Sequence, residues 1–333
     1  MRLQFQFLET VNGLDNSNSQ IITRIRGQLD KATTAPGMVM ISLSAVALGA
    51  AFGGYLPLIS LWMETFNISF QKIGIVCGAS AVGVVSSAYY APKLAARYGY
   101  IATINVGLVV AAIMTVAFRF TDNYGLWLAL RFVSGLGLGL HWVLTEAWLA
   151  NIVTEKYRTR VMAIYATAIS IGFAIGPMVI WLFGALSIIP FIIMGALLIL
   201  AALPILRLKG HEPKDSQTRS ASPLILIKKA PTVASACIVV GSVDLALISL
   251  LPAMITRTPE AAPILALIIV PAMAIGATIL QYPIAIIADK HGLRKVGVIT
   301  VCAGLIFASL IPFFLGSVLL TLLFGFLAAG LVY

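Results

Sequence analysis

Hydrophobic residues in this chain fall into long runs bounded by charges. Ten runs are long enough to matter: approximately Met38–Trp62, Ile73–Ala91, Ile101–Phe118, Tyr124–Leu149, Val161–Phe183, Leu186–Leu206, Thr232–Ile255, Ala262–Ile287, Val296–Phe314 and Val318–Tyr333. A hydrocarbon core about 30 Å thick is crossed by roughly 20 apolar residues of helix. Each run therefore predicts a transmembrane helix, and the first and fourth have length to spare for tilting. Ahead of them, Met1–Gly37 is polar, contains Glu9, Asp15 and Asp30, and lacks the apolar stretch of a signal peptide. It reads as a cytoplasmic tail.

Composition closes off the soluble alternatives. Of 333 residues, 60% are hydrophobic and 10% charged, with a mean hydropathy of +1.01. A soluble domain carries about 25% charged residues to keep its surface wet. The net charge of +10 raises the question of nucleic acid, but the basic residues sit between apolar runs. Their placement gives orientation instead. Eighteen of the 22 Lys and Arg residues fall on one side, in the tail and at 93–97, 156–160, 207–229 and 290–295. Lys72, Arg119 and Arg257 fall on the other, and Arg131 lies within a run. Positive charge marks the cytoplasmic side, which puts the amino terminus and the even-numbered loops in the cytoplasm. Cys77, Cys237 and Cys302 are isolated in apolar surroundings, a pattern of neither disulfides nor a metal site.

Between the sixth and seventh runs lies the one long polar segment, Arg207–Pro223, rich in Ser, Pro and charge. It reads as a linker. The predicted fold is an all-α polytopic membrane protein: a six-helix bundle at 38–206, a cytoplasmic linker at 207–231 and four helices of a second bundle at 232–333. A repeat supports the division. PKLAARYGY (Pro92–Tyr100) follows the second run and AIIADKHGLRK (Ala285–Lys295) follows the eighth. Aligning Gly99 with Gly292 gives an offset of 193 residues, with a basic residue two positions before each glycine.

These turns resemble the loop signature of the major facilitator superfamily, roughly G-x-L-a-D-R-x-G-R-R. The second copy carries Ala288, Asp289, Lys290, Gly292 and Arg294; the first copy departs from it, with Ala96 at the acidic position and Tyr100-Ile101 at the closing basic pair. Gln281-Tyr282-Pro283 and Thr145-Glu146-Ala147-Trp148-Leu149 look like the bacterial YcaD-like branch. The resemblance implies two six-helix halves related by an axis along the membrane normal, a small-molecule substrate and the bacterial inner membrane. The chain stops at Tyr333 inside an apolar run, short of that family's last two helices. It reads as a fragment of a longer protein, with a truncated relative as the alternative.

Ionisable groups within a span are costly and so are functional candidates. In the fourth run Arg131, Gly135, Gly139, Trp142 and Glu146 fall within about 80° of one another on one helix stripe. RFVSGLGLGL resembles the superfamily's fourth-helix signature, and that resemblance implicates Arg131 in proton coupling. Glu146 lies near the cytoplasmic end, where a carboxylate can simply be wet, and Arg131 is close enough to the outer edge to snorkel. His141 lies off the stripe, where a packed and satisfied ring is the plain alternative. Asp244 falls near mid-bilayer in the seventh run. Low dielectric favours the neutral form of a carboxyl group, which suits proton uptake and release; an interhelical hydrogen bond from a neutral acid is the alternative.

Two further groups complete the candidates. The resemblance to the superfamily implies that loop charges such as Asp289, Lys290 and Arg294 latch helix ends in one access state, with Arg158 and Arg160 as the expected partners and helix capping as the bland reading. Gly172, Gly176 and Pro177 give the fifth run a small-residue packing face and a bend. No G-x-x-x-x-G-K-[ST] or HExxH motif, pore-loop filter or His cluster occurs in the sequence. No enzyme activity, cofactor, metal or nucleic-acid partner is expected. The resemblance implies secondary transport of a small molecule by alternating access, in contact with the lipid bilayer, and the placement of acids within spans suggests coupling to protons. A non-transporting sensor or assembly subunit of the same fold is the alternative.

Overall fold

The computed structural model describes residues 36–153, 155–213 and 231–332, all helix and connecting turns without a strand. All but the last two residues of the predicted tail and most of the predicted linker lie outside the described residues. Ten long helices follow: α1 (Pro36–Glu64), α2 (Phe70–Tyr98), α3 (Tyr100–Ala117), α4 (Tyr124–Ile152), α5 (Glu155–Phe183), α6 (Ile189–Leu206), α7 (Pro231–Arg257), α8 (Leu265–His291), α9 (Leu293–Leu310) and α10 (Val318–Val332). Helices are the form that satisfies every backbone polar group without water. Eight are long and apolar enough to cross a membrane; the apolar stretches Leu265–Leu280 and Val318–Val332 are shorter.

The two signature turns are tighter than the sequence predicts. PKLAARY is helical through Tyr98 and ADKH through His291, so one glycine separates each helix from the next. Gly99 has φ 85° and Gly292 φ 93°, a backbone region that a Cβ makes strained. The repeat extends beyond these turns. Shifting α3 by 193 residues reproduces the bounds of α9, and the ends of α1 and α2 map onto those of α7 and α8.

The first six helices pack with α1 against α5 and α6, α2 against α4, and α3 between α4 and α6. Close approach drives this packing, since lipid is as apolar as the helix faces. A Cβ at Gly172 or Gly176 of α5 would collide with α1 backbone, and one at Gly49 or Gly53 of α1 with α5 backbone. At Gly135 and Gly139 of α4 the collision is with α2, at Ser80 and Ser87. Pro177 lies within α5 without ending it. In the second set α10 packs on α8 and α9, and Gly276 abuts the backbone of Phe326.

The helix ends define two faces. The basic face carries the starts of α1 and α7 and the turns at Gly99 and Gly292; the far face carries Glu64, Arg257 and the α3–α4 and α9–α10 connections. The two helix sets meet through α5 with α8 and through α1 and α2 with α7. Leu56 and Phe173 join Ile248, Leu251, Ile255, Leu265 and Ile269 in one buried cluster. Leu250 reaches Gly74 at 3.7 Å from its ideal Cβ. Except for Phe173, which sits nearer the middle of its helix, these residues lie in the far half of their helices.

Candidate functional site

Four titratable or cationic residues that the sequence places inside spans lie on helices lining the junction or its immediate support. The structure does not gather them into one cluster. Arg131 and Glu146 share α4 but are 15 residues apart, about 22 Å along the axis, so neither neutralises the other.

Arg131 is fully buried near the far end of α4. Its guanidinium carbon lies 5.0 Å from the centre of the Tyr55 ring on α1. Its three nitrogens make no well-aligned hydrogen bond among the described residues, and neither do Tyr55 Oη, Ser134 Oγ or Ser249 Oγ, although Tyr55 interacts with Arg131 and Thr115, and Ser249 with Cys77. The cation–π contact supplies about 2 kcal/mol when desolvated, against a desolvation cost of several kcal/mol for a buried ion. Cys77 of α2 interacts with both Arg131 and Ser249, which links the buried cation to α7 and so to the junction.

Glu146 sits about four turns further toward the basic face and is half-buried. Trp142 Nε1 donates to its Oε1 at 2.7 Å, an i, i+4 contact on the predicted stripe. Trp142 meets Phe52 of α1 edge-on at 6.2 Å, and Phe52 meets Phe173 of α5 at 5.5 Å. One residue back, Thr145 Oγ1 and Tyr165 Oη lie 3.0 Å apart. An aromatic wall from α1, α4 and α5 thus ends on a carboxylate.

His141 turns away from this wall. Ser44 Oγ donates to the Ala201 carbonyl at 2.7 Å, which leaves its lone pair to accept from His141 Nε2 at 2.7 Å. The buried chain ties α1, α4 and α6 together. Asp244 is half-buried at the midpoint of α7, between the depths of Arg131 and Glu146. The side chains of Asp289, Lys290, Arg294, Arg158 and Arg160 lie outside the described residues. Their backbones stand in the last turn of α8 and the first turns of α9 and α5.

The sequence reading missed a contact across the halves at the far face. Arg257, in the last turn of α7, pairs through Nε with Oε1 of Glu64 at the end of α1. It also missed Glu212, just past α6, whose Oε2 accepts from the Tyr100 backbone N–H at 3.0 Å. Both were hidden by distance along the chain.

The family model described as Major Facilitator Superfamily matches residues 41–333. Among curated relatives, the chain is 26% identical over 273 residues to an uncharacterized MFS-type transporter YfkF of Bacillus subtilis, covering 80% of this chain and 68% of that protein. It is 24% identical over 261 residues to YcaD of Salmonella enteritidis, covering 77% and 65%. Against a Yersinia pestis relative the match is 24% over 220 residues and 55% of that protein. The chain thus spans about two thirds or less of the length of these relatives.

Solved structures share the fold. A bacterial homolog to the human lysosomal transporter Spinster, in an inward-facing and occupied conformation, superposes with TM-score 0.68 at 20% identity, covering 89% of this chain and 71% of that one. The nucleoside transporter NupG gives 0.68 at 16%, covering 89% and 80%. A D-xylose-proton symporter gives 0.61 at 18%, covering 88% and 79%.

Proposed function

Because the chain belongs to the Major Facilitator Superfamily, we propose that it serves a proton-coupled secondary transporter that moves a small molecule by alternating access between its two helix sets. The basic face is the cytoplasmic one by the positive-inside rule, in the bacterial inner membrane, with the amino terminus inside. The observation that carries the reading is the asymmetry of closure. The halves meet mainly through an apolar wall in the far half, while Glu146 and Asp244, deeper toward the basic face, are only half-buried. A substrate reaching them from that face would meet the Phe52–Trp142–Phe173 wall and two carboxylates.

Coupling follows from placement. A carboxyl group at mid-membrane gains or loses a proton as its surroundings change from wet to dry, which links its charge to the access state. Asp244 is the leading candidate, with Arg131 holding fixed positive charge nearer the far face and Glu146 nearer the basic one. The test is proton flux into sealed vesicles loaded with a pH-sensitive dye, using the protein at the full length its gene encodes. Asp244→Asn abolishes pH-gradient-driven flux while leaving expression intact. Unchanged dependence on the gradient overturns the assignment of Asp244.

A further inference from the structure

Glu64 and Arg257 are separated by 193 residues, the offset that superposes Gly99 on Gly292 and α3 on α9. They are therefore the same position in the two copies of the repeat. Two equivalent positions that touch each other straddle the axis relating the copies. This pair lies on that axis, at the far end of α1 and α7.

Local helix electrostatics do not account for it. Glu64 is the last residue of α1, where a negative charge meets the negative end of the helix dipole. Arg257 in the last turn of α7 is favourably placed for its own helix, yet its contacts go to the other copy. Besides Glu64, its Nη2 donates to the Ile68 carbonyl at 2.7 Å, and its guanidinium carbon lies 4.2 Å from the centre of the Phe70 ring. One arginine from the second half thus holds the end of α1, the α1–α2 turn and the start of α2. Below it Leu250 packs on Gly74, and the apolar wall continues inward.

We infer that Glu64, Arg257, Phe70 and the Ile68 carbonyl form an axial clasp that closes the far-side entrance and sets the balance between the two access states. The inference rests on the alternating-access reading. In the far-closed state described here the clasp is made. Opening the far side separates the ends of α1 and α7 and breaks all three contacts together, so weakening the clasp raises the far-open population.

The test uses the chain at the full length its gene encodes, in lipid nanodiscs, with Cys77, Cys237 and Cys302 replaced by serine. Two single-cysteine reporters are labelled with a membrane-impermeant maleimide. Gly74→Cys reports the far entrance, where Leu250 shields it, and Ser242→Cys reports the exposed basic half of α7. Glu64→Gln and Arg257→Gln each raise far-side labelling about two- to five-fold, the population change that one partly exposed ion pair corresponds to. The exchange Glu64→Arg with Arg257→Glu brings labelling back toward the parent, which a merely damaged fold would not do. Unchanged far-side labelling in both single variants, or a rise that the exchange leaves in place, overturns the clasp. The basic-side reporter separates the two ideas. A matching fall there upholds clasp and rocking together. A far-side rise with no fall at Ser242→Cys keeps the clasp as a local closure and rejects alternating access.

Discussion

Position 131 in the first copy of the repeat is a fully buried arginine; 193 residues on stands Phe324, packed edge-on against Phe314 at 5.1 Å and beside Phe307 at 5.8 Å. Both copies use the same backbone to different ends. The second fills the place with aromatic contact, which is stable and chemically silent. The first puts there a cation that lies over the Tyr55 ring. Asp244 shows the reverse bias, since its equivalent is Ala51, a buried apolar residue. Three glycines at contacts or turns are shared: Gly83 with Gly276, Gly99 with Gly292, and Gly137 with Gly330. The chemistry sits at the positions where the copies differ.

The largest expected effect tests the shared part. Gly83 and Gly276 are equivalent, and a Cβ at either would collide with backbone, Phe132 in α4 and Phe326 in α10 respectively. Substituting leucine at either forces the helices apart, an overpacking cost of about 3 kcal/mol or more. Thermal unfolding in detergent should show a large loss for each. Gly78→Leu, where nothing lies within 4 Å, should change little. A tolerated Gly276→Leu beside a ruinous Gly83→Leu would mean that the second copy packs by other rules.

The next prediction makes the first copy imitate the second. Arg131→Phe removes a buried charge without a well-aligned acceptor among the described residues. Replacing buried ionic groups with apolar ones of similar volume is often neutral or stabilising by about 1–4 kcal/mol. The variant should melt at or above the parent temperature and lose transport. A lower melting temperature would mean that Arg131 is structurally satisfied, and that the difference from Phe324 carries no function.

How much of this was legible in the sequence varies with the range of the interaction. Helix number and order were legible because run length is a local signal, although eight of the ten described helices are long and apolar enough to cross a membrane, and α2 and α8 run on past their apolar cores to the glycine turns. The contact of Trp142 with Glu146 lay within one stripe of α4, and spacing alone brought both to notice. The placement of Arg131 against Tyr55 was not legible, since no local pattern says which residue of α1 a buried side chain on α4 will meet. His141 was weighed as a packed ring, but its bond to Ser44 depends on α1 standing beside α4, with the Ala201 carbonyl of α6 accepting from the Ser44 hydroxyl. Arg257 counted only as one charge on the far side. Its pairing with Glu64 was encoded in the 193-residue offset and became readable only once α1 and α7 were known to end at equivalent residues.

The smallest expected effect concerns the two signature turns, whose backbones match and whose flanking charges do not. At the first turn the acidic signature position is Ala96, and Glu212, arriving from beyond α6, accepts from the Tyr100 N–H at the start of α3. A carboxylate there satisfies an orphan donor and faces the positive end of the helix dipole. Glu212→Ala should cost about 1 kcal/mol, the usual value of a lost amino-terminal cap, and Glu212→Gln less, because the amide oxygen still accepts. Amide hydrogen exchange at residues 100–103 should quicken in Glu212→Ala and stay unchanged at the equivalent residues 293–296, which serve as the internal control. Equal quickening at both turns would show that Glu212 steadies the whole basic face. The first copy would then have no cap of its own to make up for its missing acid.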